Sequence, residues 1–283
     1  MGASGSALAS AVASGSVSAS TSAVASLPPA AVQFIYVVPD TLESSLYAAY
    51  KSQLQQLTLR TSDSMLQISQ LDIAPGQSVR LRAVTWRQYK KILEDLSPHR
   101  ATRLAYNNGQ LLIMRPNTKQ ESDKEIISDL VKALLEELQI EFRSLGSTTF
   151  ERRSDLKAIE PAQCFYIQNE KLIRAHHQID IRKDSAPDLV LEICEDTQNH
   201  LDIYAALGVP ELWQFNQSEL SIHELWAGIY KPVEESTFFP ELPIKDLLPY
   251  CLEQSRTLGR NIVMRDFRKW VRDTKDRQSQ SAS

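Results

Sequence analysis

The sequence predicts an α/β protein with a mixed central sheet flanked by helices, and three observations carry that reading. Asn107-Asn108-Gly109 sits between two apolar runs, which marks a β-hairpin because both central residues tolerate positive φ. Ile126, Ile127, Leu130, Val131, Leu134, Leu135 and Leu138 recur at helical spacing, so a long helix turns one apolar side to a sheet. Ala186-Pro187-Asp188-Leu189-Val190-Leu191-Glu192-Ile193-Cys194 then reads as a buried strand that opens on a proline. Hairpin, helix, strands, helix, hairpin and helices in that order suit a sheet covered on its faces.

Taken in order, residues 1–31 are almost wholly Ala, Ser, Gly and Val without a charge, which predicts a disordered tail. Residues 32–83 form an N-terminal extension of unassigned role. Within it a strand is expected over 32–38, a helix over 41–57, and a small strand pair over 58–82 around the Pro75-Gly76 turn. The main domain is expected over 84–255. It opens on a helix capped by Thr85 with Trp86, Tyr89, Ile92, Leu93 and Leu96 on its apolar side.

The hairpin strands are Arg103-Leu104-Ala105-Tyr106 and Gln110-Leu111-Leu112-Ile113-Met114. After Pro116 the long helix is expected to begin near Ser122, with Glu125 completing a capping box and Glu121, Asp123, Glu125 and Asp129 forming a solvated face. Strands are predicted at 147–152, 163–168 and 187–194, and a short helix at 199–207 that ends on Gly208. A hairpin over 210–215 and 220–225 precedes helices at 244–250 and 251–273.

Residues 256–283 form a basic amphipathic helix and tail. Arg256, Arg260, Arg265, Arg268, Lys269, Arg272, Lys275 and Arg277 would face outward, where DNA phosphates could lie, while Leu258, Ile262, Phe267, Trp270 and Val271 dock on the domain.

Bulk properties narrow the function classes. The chain has 283 residues and a formal net charge of -4, so nucleic-acid binding needs a local basic surface or a metal. Cys164, Cys194 and Cys251 are odd in number and contain no Cys-x-x-Cys pair, which argues against a disulfide framework or zinc ribbon and for a reducing, cytoplasmic setting. No apolar run is long enough to cross a bilayer, so a soluble protein with no membrane partner is expected.

Chemistry points to the strand at 187–194. Side chains alternate across a strand, so Asp188, Val190, Glu192 and Cys194 share one face, and Leu189, Leu191 and Ile193 the other. Two carboxylates on one face can converge on a magnesium ion, which takes hard oxygen ligands, and a metal there could activate water and clamp a phosphate. The competing reading is structural: Asp188 caps the strand entrance and Glu192 pairs with an arginine. Adjacent His176 and His177 suit a surface loop better than a chelate, and Glu192 beside Cys194 disfavours a thiolate nucleophile.

Five segments in order resemble a known family. They are Arg103 to Gly109, Phe142-Arg143-Ser144-Leu145-Gly146-Ser147-Thr148-Thr149-Phe150, Glu160-Pro161-Ala162-Gln163-Cys164-Phe165-Tyr166-Ile167, Pro187 to Ile193, and Tyr204-Ala205-Ala206-Leu207-Gly208-Val209-Pro210-Glu211-Leu212-Trp213. From Val84 to about Asp273 the chain resembles the Uma-type restriction endonucleases of the PD-(D/E)XK nuclease superfamily. The resemblance implies a restriction-endonuclease-like fold and a magnesium-dependent DNA endonuclease, with Glu192 and Asp188 as catalytic, metal-binding acids. The expected partners are DNA and, in a homodimer, a second copy of the chain.

Two positions depart from the family pattern. Ala162 stands where the family has an aspartate, and Cys194 where the superfamily has a lysine. Glu160 could replace the missing acid only through a shifted loop. His200 is read as an exposed polar residue rather than a substitute for the lysine. The alternative to an endonuclease is therefore a degenerate member that binds DNA or a protein partner without cutting.

Overall fold

The computed structural model describes the backbone of residues 33–38, and residues 71–96, 101–193, 200–216 and 218–281. The readings for 1–31, for the helix at 41–57, for residues 58–70 and for Cys194 fall outside them. All the described elements belong to the unit from Val32 to Ser283.

Its first sheet comprises β1 (Gln33–Val38), β2 (Gln77–Arg82), β3 (Arg103–Asn107), β4 (Gln110–Arg115), β6 (Phe150–Arg152) and β7 (Lys157–Ile159). The strand order is β1-β2-β4-β3-β7-β6, antiparallel throughout. The second sheet comprises β5 (Arg143–Ser144), β8 (Gln163–Tyr166), β9 (Leu189–Ile193), β10 (Glu211–Asn216), β11 (Glu219–Trp226) and β12 (Ile229–Val233), in the order β12-β11-β10-β9-β8-β5. Here β9 and β10 run parallel, so this is the mixed sheet expected from the sequence. The helices are α1 (Trp86–Asp95), α2 (Thr118–Glu137), α3 (Glu170–Ile173), α4 (Leu201–Leu207), α5 (Ile244–Leu258) and α6 (Arg260–Ser281).

Three apolar layers hold these parts together. Tyr89 of α1 packs with Leu81, Leu104, Tyr106, Leu111 and Ile113 on one face of the first sheet. The opposite face contributes Ala105, Leu112, Phe150 and Ile159 to a central layer, which it shares with Val190, Leu212 and Tyr204. Leu189, Leu191 and Ile193 face the third layer, against Leu130 and Leu134 of α2, Leu248 of α5 and Phe267 of α6. The predicted alternation along β9 is thus what divides the second layer from the third.

Local signals explain most element ends. Thr85 caps α1 through a reciprocal box with Gln88. Asn108 and Gly109 take φ of 46° and 87°, as the hairpin turn requires. Helix α2 begins a turn before Ser122, because Asn117 caps it with Gln120 and already satisfies the first-turn donors. Pro249 lies inside α5, and the break expected near 250 comes at Gly259, whose φ of 89° lets the chain turn into α6.

The second sheet also contains β12, and the first contains β7, neither of which the sequence signals announce. Strand β2 pairs with β4, so the segment ahead of Val84 extends the same sheet as the hairpin.

Candidate functional site

Glu192 projects from β9 into the central layer, beside Val190 and away from Leu191. Only 8 % of the residue is exposed. The Tyr204 hydroxyl donates to its Oε1, and Arg103 Nη1 lies 3.5 Å from its Oε2. Burial raises the Glu192 pKa, against the opposing pull of Arg103, the Tyr204 hydroxyl and the Ala162 N–H. Burial also lifts the Tyr204 phenol well above its usual value, with the Glu192 charge adding, so the phenol keeps its proton and acts as donor. The structural partner anticipated for Glu192, an arginine, is therefore Arg103.

Asp188 lies at the other end of the strand, and the pairing with Glu192 needs correction. They are four positions apart, which at the rise of a strand is roughly 13 Å, too far to share one ion. Asp188 is 1 % exposed. Its Oδ2 accepts the N–H groups of Ile167 at 2.6 Å and Asn169 at 3.0 Å, and its Oδ1 accepts Asn169 Nδ2 at 2.6 Å. The carboxylate closes the turn after β8, which is the structural alternative to metal binding.

Position 162, where the family pattern has an aspartate, carries an alanine. Gln163 is opposite Leu191 in the β8–β9 register, which brings Ala162 level with Glu192, but Ala162 supplies only a methyl and its backbone. It is 1 % exposed and belongs to the apolar cluster of Leu134, Phe165 and Leu191. Glu160 accepts Leu104 N at 2.8 Å and Thr149 Oγ1 at 2.6 Å, so its carboxylate ties the end of β7 to β3. Among the described residues no group of three His, Cys, Asp or Glu side chains is placed to hold a metal ion. Magnesium does not fit this donor set: one acid is paired with a cation and a phenol, and the other is filled by N–H groups.

His200, expected to be exposed, is instead half-buried at the start of α4. Its pKa is depressed to about 4 by burial, with the Arg80 and Arg103 charges lowering it further against the pull of Asp202. A neutral imidazole cannot replace a lysine's charge. Nothing in the sequence announces the network that fixes α4. Lys157 Nζ donates to Asp202 Oδ2 at 2.7 Å and to Asn107 Oδ1 at 2.6 Å, while Arg152 donates to the Ala206 and Leu207 carbonyls at the helix end. Burial pushes Asp202 up, but Lys157 and Asn107 outweigh it and hold the carboxyl below its ordinary value. Arg103, Tyr204 and Lys157 are thus the site residues that sequence reasoning missed. Alternation back from the Asn-Gly turn places Arg103, Ala105 and Asn107 on one face, but only the packing of the two sheets shows what that face meets.

The remaining candidates sit elsewhere. His176 Nδ1 lies 3.1 Å from Asp184 Oδ1 in a loop, and His177 is exposed. Burial pushes the Cys164 thiol up to about 12, which leaves it unreactive. The C-terminal helix keeps Arg265 and Lys269 exposed, but part of its basic face is turned onto the domain. Arg268 bonds Glu136 at 2.6 Å and Glu137 at 3.0 Å, Arg272 bonds Glu137 at 3.0 Å, and Arg260 pairs with Asp129. Just before it, Arg256 reaches Asp123 at 2.7 Å. Asp123 is only 3 % exposed, so the acids expected to form a solvated face on α2 are in part the dock for this helix. No helix among the described residues is long and apolar enough to cross a membrane.

Comparison with known proteins adds one structure and one family. A crystal structure of "a putative nuclease belonging to DUF820" from Anabaena variabilis is 13 % identical, with a TM-score of 0.38, and the match covers 53 % of this chain and 90 % of that one. No curated protein matches. The profile of the Uma2 family, described as "Putative restriction endonuclease", matches residues 86–258, and the chain belongs to that family.

Proposed function

We propose that this chain is a nuclease-family protein that binds DNA without cleaving it, because the centre that would hold a catalytic metal is incomplete. One observation carries the reading. The Glu192 carboxylate is spent on Arg103 and Tyr204, and among the described residues it belongs to no group of three His, Cys, Asp or Glu side chains that could hold a metal ion. A metal-assisted hydrolysis needs ligand oxygens that present a cation to phosphate, and losing them removes the main source of transition-state stabilisation. What these residues can do is hold Glu192 in place: the Arg103 guanidinium lies beside a desolvated acid, and the Tyr204 hydroxyl donates to its carboxylate. A cytoplasmic setting, expected from the cysteines, suits a DNA partner.

Family membership favours the second reading, a magnesium-dependent DNA endonuclease with Glu192 as its metal acid. Plasmid cleavage in magnesium or manganese, run beside a gel-shift assay on a duplex, separates the two. The expected result is a shifted band with no cleavage above background, unchanged by Glu192→Ala. Cleavage by the native protein that Glu192→Ala abolishes would restore the endonuclease.

A further inference from the structure

Helices α5 and α6 are one residue short of being a single helix. Gly259 N donates to Ser255 O at 3.1 Å and Val263 N to Gly259 O at 3.3 Å, so helical hydrogen bonds run up to the corner from both sides. Gly259 itself takes φ 89° and ψ 146°, a conformation essentially confined to glycine. A Cβ built there meets nothing within 4 Å, so the backbone angle asks for glycine and no neighbour does. With residue 259 helical, one helix would run from Ile244 to Ser281. Arg260, Asn261 and Ile262, whose N–H groups open α6, would then gain the carbonyls of Arg256, Thr257 and Leu258 as acceptors.

The residue pattern runs through the corner as well. Ile244, Leu248, Cys251 and Ser255 follow one another along α5 at alternating steps of four and three, and the first three are buried. The same alternation next reaches Leu258 and Ile262, which are 52 % and 40 % exposed beside the turn. This is the a and d spacing by which two helices pack on each other, and the corner leaves its last two members uncovered. The other contacts of α6 do not depend on the corner. Val263, Phe267 and Val271 enter the layer that holds Leu130 and Leu134 of α2, and Arg260, Arg268 and Arg272 meet Asp129, Glu136 and Glu137 of the same helix. Every copy of the chain carries that dock.

We propose that Gly259 is a hinge through which two copies of the chain exchange α6. With the corner straightened, α6 of each copy docks on α2 of the other, and the arginine–carboxylate pairs of the closed chain form again between chains. Leu258 and Ile262 of the two straightened helices pack together about the two-fold axis, a contact the closed chain lacks. The partner is a second copy of this chain, because the α2 surface that fits α6 is the chain's own. Exchange conserves the docking contacts, so the balance between the two forms is set by the backbone angle at one glycine and by one apolar contact.

Sedimentation equilibrium tests the hinge. Gly259→Ala strains the corner and favours the continuous helix, by about tenfold for each hinge, so the dimer of the variant should be about a hundredfold tighter than that of the native chain. Adding Leu258→Ser with Ile262→Ser should loosen it again. Exchange itself is read with two charge-reversed chains that keep Gly259. One carries Glu136→Arg with Glu137→Arg, the other Arg268→Glu with Arg272→Glu. Within either chain α6 faces like charge on α2, whereas a swapped pair of the two is matched at both docks. Refolded together, they should give a one-to-one heterodimer that melts above either chain alone. A folded Gly259→Ala variant that associates no more than the native chain, or a mixture that yields no heterodimer, overturns the exchange.

Discussion

The two ends of β9 hold two buried acids of the same chemistry on the same strand face, yet their surroundings give them opposite roles. Asp188 is filled by N–H groups from a single turn, Ile167 to Asn169, which are fixed once the backbone is fixed. Glu192 is held by side chains from separate elements, Tyr204 of α4 and Arg103 of β3. A carboxylate that completes a backbone turn belongs to the fold. A carboxylate whose partners are a phenol and a guanidinium from elsewhere is where a change of charge would be felt across two sheets.

The sharpest way to break this comparison is at Asp188. Asp188→Ala leaves buried donors in the 167–169 turn unmatched and should cost about 4 kcal/mol of stability in urea unfolding. A loss near zero would show that the turn holds itself. At the other end, Arg103→Met strands a buried carboxylate and should cost about 3 kcal/mol, most of it recovered when Glu192→Gln is added. If the two losses simply add, the ion pair is not what Arg103 contributes.

His200 gives a pH readout of the Glu192 end. With its folded pKa near 4 and the ordinary value at 6.5, the unfolded chain binds the extra proton between these limits. Stability should therefore be full above 6.5 and fall as pH drops towards 4, by up to about 3 kcal/mol. His200→Asn should flatten that part of the profile. An unchanged acid limb would place the imidazole in water. The smallest effect is expected on α6, where Arg268→Gln with Arg272→Gln should cost about 1 kcal/mol, less at high salt, because these pairs are partly exposed.

How much of the molecule is legible in its sequence follows from the range of each interaction. The Thr85 cap, the Asn-Gly hairpin and the Gly208 helix end depend on a few neighbouring residues, and all stand as expected. The start of α2 differs from expectation by a turn because Asn117 with Gln120 and Ser122 with Glu125 are both plausible caps in one stretch. Strands β7 and β12 carry no clear signal for a different reason. Lys157–Ile159 is only three residues long, and β12 carries Pro232, so neither shows a clean alternation. Asp123 and Asp129 of α2 read as solvated because their arginine partners are more than 130 residues away in the chain.

The sequence alone determined which faces are oily and which residues are charged: the split along β9, the long apolar side of α2, and the presence of Glu192 in a buried strand. Periodicity records burial, and burial is largely a local choice between one side of an element and the other. Tertiary structure alone decided what each buried charge meets. Whether Glu192 faces a second acid, an open cleft or Arg103 depends on how two sheets pack, and packing joins residues whose separation in the chain carries no pattern.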